Sequence, residues 1–412
     1  MKRVWACAPL LLVSSYAASA CETGLYRSPD GNMQAAVVHI ADGSMRYTLT
    51  DGNRGPVGKA PGILTCEGET IRSAAGVWSR VALKLTESRF SSHGASLSGV
   101  LIEPPTPGPH PLVVTVHGSE HSSPREGYYP YILAANGLAV FAYDKRGTAR
   151  SEGDYTQNFE LLADDAAAAL VEARKLAAGR YSRAGFFGGS QGGWVAPLAA
   201  TRSPADFVAV GFGLISSPIE EDGEQVIDDL REKGYGQREI ASALELAAAA
   251  SRVASSHFTA GFEQFEALKQ RYSGQRGYGA IKGEYTGPML HESDAELRRV
   301  GQGLFDHDEL IWNYDSRITI RRLKVPLLWV FAEKDREAPP EVTFERLSAL
   351  RKEGRDITIY SFPDTDHGIY EFTQAPDGSR TVTRVAAGYF SLLADWIKGS
   401  AGAASYRRAR KR

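Results

Sequence analysis

At 412 residues the chain exceeds one average domain, and 43% hydrophobic with 23% charged residues is ordinary for a soluble globular protein. A net charge of −2 leaves no general basic surface to neutralise phosphates, which argues against nucleic acid as the main partner. The basic run Arg407-Arg408-Ala409-Arg410-Lys411-Arg412 is local, and residues 401–412 read as a solvated, disordered tail.

Residues 1–20 have the form of a signal peptide. Lys2 and Arg3 precede an apolar run from Val4 to Val13, and Ala18-Ser19-Ala20 has the small residues of a cleavage site. The run is too short for a permanent span, so no integral membrane segment is expected. Export to the periplasm or medium follows, with Cys21 first in the mature chain. Cys7 leaves with the leader, so Cys21 and Cys66 are free to form a disulfide in an oxidising compartment. The alternative is a lipid anchor on Cys21, since Ala18-Ser19-Ala20-Cys21 is close to a bacterial lipobox, with Ala18 where Leu is usual.

Residues 21–80 form a β-rich appendage. Gln34 to Ile40 and Met45 to Thr50 are strand-like, and Asp42-Gly43 and Asp51-Gly52 supply turn chemistry. No catalytic residue types cluster there. From Val81 strands and helices alternate. Val81 to Glu87 and Leu97 to Ile102 suggest an antiparallel pair. Leu112 to Val116, Leu138 to Tyr143, Ala184 to Gly189 and Phe207 to Leu214 read as buried strands, uninterrupted and often β-branched. Helices over Tyr128 to Asn136, Leu161 to Ala178 and Gln191 to about Arg202 separate them, the last despite Pro197. This β-α-β succession predicts a mostly parallel sheet with helices on both faces over 81–217 and 317–400.

Residues 218–316 contain no strand of buried type. Ile240 to Val253 and Phe262 to Lys269 are amphipathic, so this insertion reads as a helical cap. The run Glu220-Glu221-Asp222 reads as a solvated helix start, or as a means of recognising a cationic substrate group. Phe258, Phe262, Phe265, Tyr272 and Tyr285 serve either a pocket or the cap's own core. The core resumes at Val325, with strands over Pro326 to Ala332 and Ile357 to Phe362, and a helix over Val382 to Ile397 closes it.

The chemistry centres on Gly188-Gly189-Ser190-Gln191-Gly192, a G-x-S-x-G that follows a predicted strand and opens a predicted helix. In that setting the Ser sits on a strained turn, and its neighbours must lack side chains for the turn to close. Ser190 is followed in the chain by Asp335, after one strand, and by His367, after the last. The other histidines lack metal-ligand spacing and no dinucleotide fingerprint follows the first strand, so neither metal nor cofactor is expected.

With these residues the chain resembles the α/β-hydrolase superfamily. His117-Gly118-Ser119 resembles its oxyanion loop, and Asp144-Lys145-Arg146-Gly147-Thr148-Ala149-Arg150-Ser151 its D-x-R-G-x-G-x-S loop, with Ala149 for the middle Gly. Ala332-Glu333-Lys334-Asp335 resembles its acid loop, with Ala332 for Gly, and Asp366-His367-Gly368 its terminal His loop. Over about residues 80 to 400 the resemblance is closest to secreted bacterial esterases of the dienelactone-hydrolase and prolyl-oligopeptidase-like branch. It implies Ser190 as nucleophile, His367 as base and Asp335 as its orienting acid, with backbone N–H groups of Gln191 and Ser119 as the oxyanion hole. Glu333 is the rival acid. Asp144 is expected to brace its loop with Arg146, and Asp364 and Asp366 to form turns. The expected activity is cleavage of a small carboxylic ester through an acyl-enzyme. The alternatives are an aminopeptidase using the same triad and, from another class, a non-catalytic ligand-binding protein.

Overall fold

The computed structural model describes residues 21–40, 42–58, 62–67, 70–306, 309–401 and 405–412. The expected leader, 1–20, lies outside them. Among the described residues no helix is long and apolar enough to cross a membrane.

Nine strands make the central sheet, numbered here in chain order: β1 (Lys84–Ser92), β2 (Ala95–Glu103), β3 (His110–Val116), β4 (Ala139–Tyr143), β5 (Tyr181–Gly189), β6 (Val208–Gly211), β7 (Leu327–Ala332), β8 (Ile357–Phe362) and β9 (Arg410–Lys411). Their spatial order is β1-β2-β4-β3-β5-β6-β7-β8-β9. Strands β3 to β8 run parallel, in register at pairs such as Val114 with Phe186 and Val210 with Trp329. The antiparallel β1-β2 pair covers one edge. The parallel strands are buried on both faces because helices cover both, which is why their sequences read as continuous apolar runs.

On one face lie α2 (Phe159–Leu176) and α3 (Gly192–Arg202), whose Leu162, Ala166, Leu170, Val195 and Ala199 join one apolar cluster. On the other lie α1 (Tyr128–Ala135) and the last helix (Tyr389–Lys398), with Ile132, Leu133, Tyr389, Phe390 and Leu393 in a second cluster. Asn158 caps α2 by accepting from the N–H groups of Glu160 and Leu161. Helix α3 runs through Pro197, which leaves its ladder one N–H short but ends nothing.

The cap opens with α4 (Pro218–Glu232), continues through α5 (Gln237–Ser255), α6 (Phe262–Tyr272), α7 (Thr286–His291) and α8 (Asp294–Phe305), and has its own apolar cluster. Phe258, Phe262, Phe265, Tyr272 and Tyr285 all belong to it. The acid run at its start differs from expectation. Glu220 closes a capping box with Ser217 and pairs with Arg346, while Asp222 is fully buried and accepts from the Tyr285 and Thr286 backbones. Asp222 thus pins α4 to α7 instead of facing solvent, while Glu220 pairs with Arg346 and stays partly exposed.

Two further segments differ from the sequence reading. Arg380–Val385 is a strand, not the start of the closing helix, and pairs with Tyr370–Gln374 across a Pro376-Asp377-Gly378 turn. Arg380-Thr381-Val382-Thr383 alternates with period two, and the helical pattern starts only at Tyr389. The C-terminal tail is not free either. Arg410 and Lys411 pair with Ser361 and Tyr360, and Arg412 bonds to Ser361 and to the Glu333 carboxylate. An exposed sheet edge offers unpaired backbone groups that a basic tail can satisfy.

The residues before the core form a seven-stranded antiparallel sheet from Gly24 to Arg80. A Cys21–Cys66 disulfide spans 45 residues of it. Closing a loop of that size stabilises by roughly 4 kcal/mol in the chain-entropy account. Lipidation would need the same Cys21 sulfur, so the two fates exclude each other.

Candidate active site

The C-terminal ends of β3, β5, β7 and β8 lie along one edge of the sheet, with β6 between β5 and β7, and each delivers one part of the site. Strand β5 ends at Gly189 and the chain turns at Ser190, whose φ of +52° is left-handed and strained for a residue with a Cβ. The turn closes because a Cβ on Gly188 would lie 2.4 Å from the Gly192 carbonyl. Gln191 then caps α3, so the helix N-terminus faces the Ser190 side chain.

Strand β3 leads into His117-Gly118-Ser119, and Gly118 approaches so closely that a Cβ there would lie 3.6 Å from the Cβ of Ser190. Among the described residues the backbone N–H groups of Ser119 and Gln191 donate to no protein acceptor. They are the two positions expected for the oxyanion hole. His117 itself is buried beside Tyr143, and burial followed by the charge of Lys145 pushes its ring well below the ordinary histidine range. It is a neutral packing residue rather than a base.

After β7, Asp335 is 4% exposed and its carboxylate meets Nδ1 of His367 at 3.0 and 3.1 Å. The same carboxylate accepts from the backbones of Glu337 and Ala338, so its orientation is fixed before His367 is considered. Glu333 points to the far edge of β8, where it takes Ser361 Oγ, Arg410 and Arg412. Asp366 accepts from the backbones of His367 and Arg336 and pairs with Arg380. Asp364, also a turn residue with φ of +53°, pairs with Arg408. The expected Asp144–Arg146 pair does not form. Asp144 takes the Ser123 hydroxyl and lies 3.6 Å from Arg125, while Arg146 makes a two-bonded pair with buried Asp165.

Ser190 lies where two cavities meet. One, of about 340 Å³, is roofed by the cap and lined by Trp194, Glu221, Glu284, Tyr285, Trp312 and Glu337 among others, with no Lys or Arg among its described lining residues. The other, of about 220 Å³, includes the aromatic side chains of Tyr128, Tyr129, Phe187 and Phe212 in its lining. Burial, then the charges of Glu284 and Glu224, raise the Glu221 carboxyl well above the usual range. The sequence contained no signal for Glu337, which approaches Nε2 of His367 at 3.5 Å from only two residues past Asp335.

Burial of His367 favours the neutral ring, but the Asp335 charge and hydrogen bond outweigh it, and Glu337 and Asp366 add to them. The imidazolium therefore persists above its ordinary 6.5. A base must be neutral to accept a proton, so kcat/KM is expected to fall as pH drops through a limb lying above 6.5. Glu337→Gln removes a negative charge from the Nε2 side and should move that limb down. Glu337 is largely exposed, so the displacement should stay within about one pH unit. A pH profile of kcat/KM for both proteins checks this, and an unmoved limb would separate Glu337 from the titrating group.

Strand order, the left-handed Ser190 turn after β5 and the helices on both faces define an α/β-hydrolase fold with a helical cap. The sequence profile of the serine aminopeptidase (S33) family matches residues 107–255. No curated protein matches the chain. Among solved structures, a Pyrococcus furiosus esterase is similar at 15% identity and a TM-score of 0.43, over 69% of this chain and 84% of that one. A proline iminopeptidase from Mycobacterium smegmatis is similar at 17% identity and a TM-score of 0.44, over 76% and 98%. An acylaminoacyl peptidase from Pyrococcus horikoshii follows at 16% and 0.46, over 89% of this chain and 54% of its own length. The family match and the geometry support a serine hydrolase.

Proposed function

We propose that the protein cleaves carboxylic esters through an acyl-enzyme on Ser190. The observation that carries this reading is the strained Ser190 turn, set between two cavities and against the Gly118 loop. Asp335 holds His367 by Nδ1, and no described hydrogen bond joins His367 to Ser190. In the proposed reaction His367 Nε2 takes the Ser190 proton as Oγ attacks the acyl carbon, and Asp335 holds Nδ1–H in place. The carbonyl oxygen becomes an oxyanion facing the N–H groups of Ser119 and Gln191. Collapse expels the alkoxide, which takes the proton from His367 and leaves as alcohol. Water then repeats the cycle on the acyl-enzyme, giving the acid and free Ser190.

A second reading, an aminopeptidase, is favoured by one observation. Three acidic side chains, Glu221, Glu284 and Glu337, line the cap-side cavity, and no Lys or Arg is among its described lining residues. A substrate ammonium would favour the charged forms that burial disfavours. Short p-nitrophenyl esters and amino-acid p-nitroanilides, assayed with the unaltered protein and Ser190→Ala, separate the two. Ester turnover lost in the variant, with anilides untouched, is the expected result. Anilide turnover of comparable kcat/KM would put the peptidase first, and no Ser190-dependent turnover of either would overturn both.

A further inference from the structure

Lys145 sits in the D-x-R-G-type loop just after β4, and none of its surface is exposed. Such a position is costly for an ammonium unless it is well bonded. Its Nζ lies 3.0 Å from Oε1 of Gln191, 3.3 Å from the Gly118 carbonyl and 3.4 Å from the Tyr155 hydroxyl, and 4.5 Å from the centre of the Tyr155 ring. The Tyr155 hydroxyl in turn donates to the Ser119 carbonyl, and the Gln191 amide donates to Gln157 Oε1 at 3.2 Å. His121 stacks on Tyr155 with ring centres 3.6 Å apart. One buried cation thus ties together the two chain segments that carry the oxyanion donors, the loop after β3 and the start of α3.

We propose that Lys145 is a positioning residue for the oxyanion hole. Its ammonium fixes the Gly118-Ser119 loop against Gln191 so that both N–H groups converge. This inference rests on the reading of Ser190 as nucleophile, and adds a residue that neither the nucleophile, the base nor the acid replaces.

Lys145→Met keeps the length and removes the charge. The expected result is a loss of about tenfold to a thousandfold in kcat for a p-nitrophenyl ester, with KM changed less than about threefold. Affinity for a trifluoromethyl ketone, which forms the oxyanion adduct, should fall by a similar factor. Tyr155→Phe removes only the hydroxyl that holds the Ser119 carbonyl and should show the same kcat-selective pattern at about three- to tenfold. Should Lys145→Met fail to fold, Tyr155→Phe decides. Unchanged kcat and ketone affinity in the folded variants, or a loss confined to KM, would overturn the proposal. Labelling of the unaltered protein by a fluorophosphonate distinguishes the two levels. If Ser190 is not labelled, the nucleophile reading fails, whereas normal labelling with indifferent Lys145 and Tyr155 variants sinks this inference alone.

Discussion

Ser190→Ala is expected to lower kcat for ester hydrolysis by roughly 10⁴- to 10⁶-fold, with thermal stability nearly unchanged. The substitution removes one oxygen and keeps the Cβ, so the left-handed turn keeps the same strain and the same neighbours. No described hydrogen bond holds the Ser190 hydroxyl, so its loss leaves no buried partner stranded. Residual turnover would come from the oxyanion donors and binding alone. Activity within tenfold of the unaltered protein would mean that another group attacks. Ser190→Gly gives a control in the opposite direction. It should be as inactive, yet more stable by about 1 kcal/mol or more, because glycine accepts a positive φ without strain.

Asp335→Asn should cost about 10⁴-fold in kcat near neutral pH, while Glu333→Gln should stay within about threefold. An amide at 335 donates where a carboxylate accepts, so His367 Nδ1–H loses its acceptor and the ring is free to take the wrong tautomer. The acid limb of the pH profile should also fall, since the negative charge that raises His367 is gone. Glu333 has a different environment, with Ser361, Arg410 and Arg412 around it. Its substitution should loosen the tail strand and lower stability modestly without touching the base. Steady-state kinetics of the pair decides between them, and a larger loss in Glu333→Gln would reverse the assignment.

The choice between these two acids illustrates what the sequence held and what it did not. Chain order and motif position pointed to Asp335, but spacing alone left Glu333 two residues away as a rival. Only the turn after β7 separates them, by sending Asp335 to His367 and Glu333 to the sheet edge. The core strands were legible because strands buried on both faces show as plain apolar runs, and Ile357 to Phe362 matches residue for residue. The antiparallel lead pair was displaced, with β1 beginning at Lys84 and reaching Ser92, because half-exposed strands carry weaker patterns.

What was missed depended on tertiary partners. The tail reads as solvent-borne charge until β8 offers it an open edge and Glu333 a counterion. Asp222 reads as a helix-start acid until the α7 backbone meets it. Arg146 pairs with Asp165, and Asp144 with Ser123 and Arg125, because local charge order cannot say which loop folds over which helix. Lys145 sat in plain view within the loop motif. Its burial, and its bonds to Gln191 and Gly118, arise only when the loops after β3 and β4 and the turn after β5 come together.

The central claim is that Ser190 carries the acyl group, and trapping that intermediate tests it most directly. A p-nitrophenyl ester mixed rapidly with the purified protein and quenched in acid, followed by peptide mass analysis, should reveal the acyl mass on the peptide containing Ser190. The p-nitrophenol burst should be close to one equivalent per chain if deacylation is the slower step, and neither signal should appear in Ser190→Ala. Ester turnover with the acyl mass on another residue, or persisting in Ser190→Ala, would contradict the account.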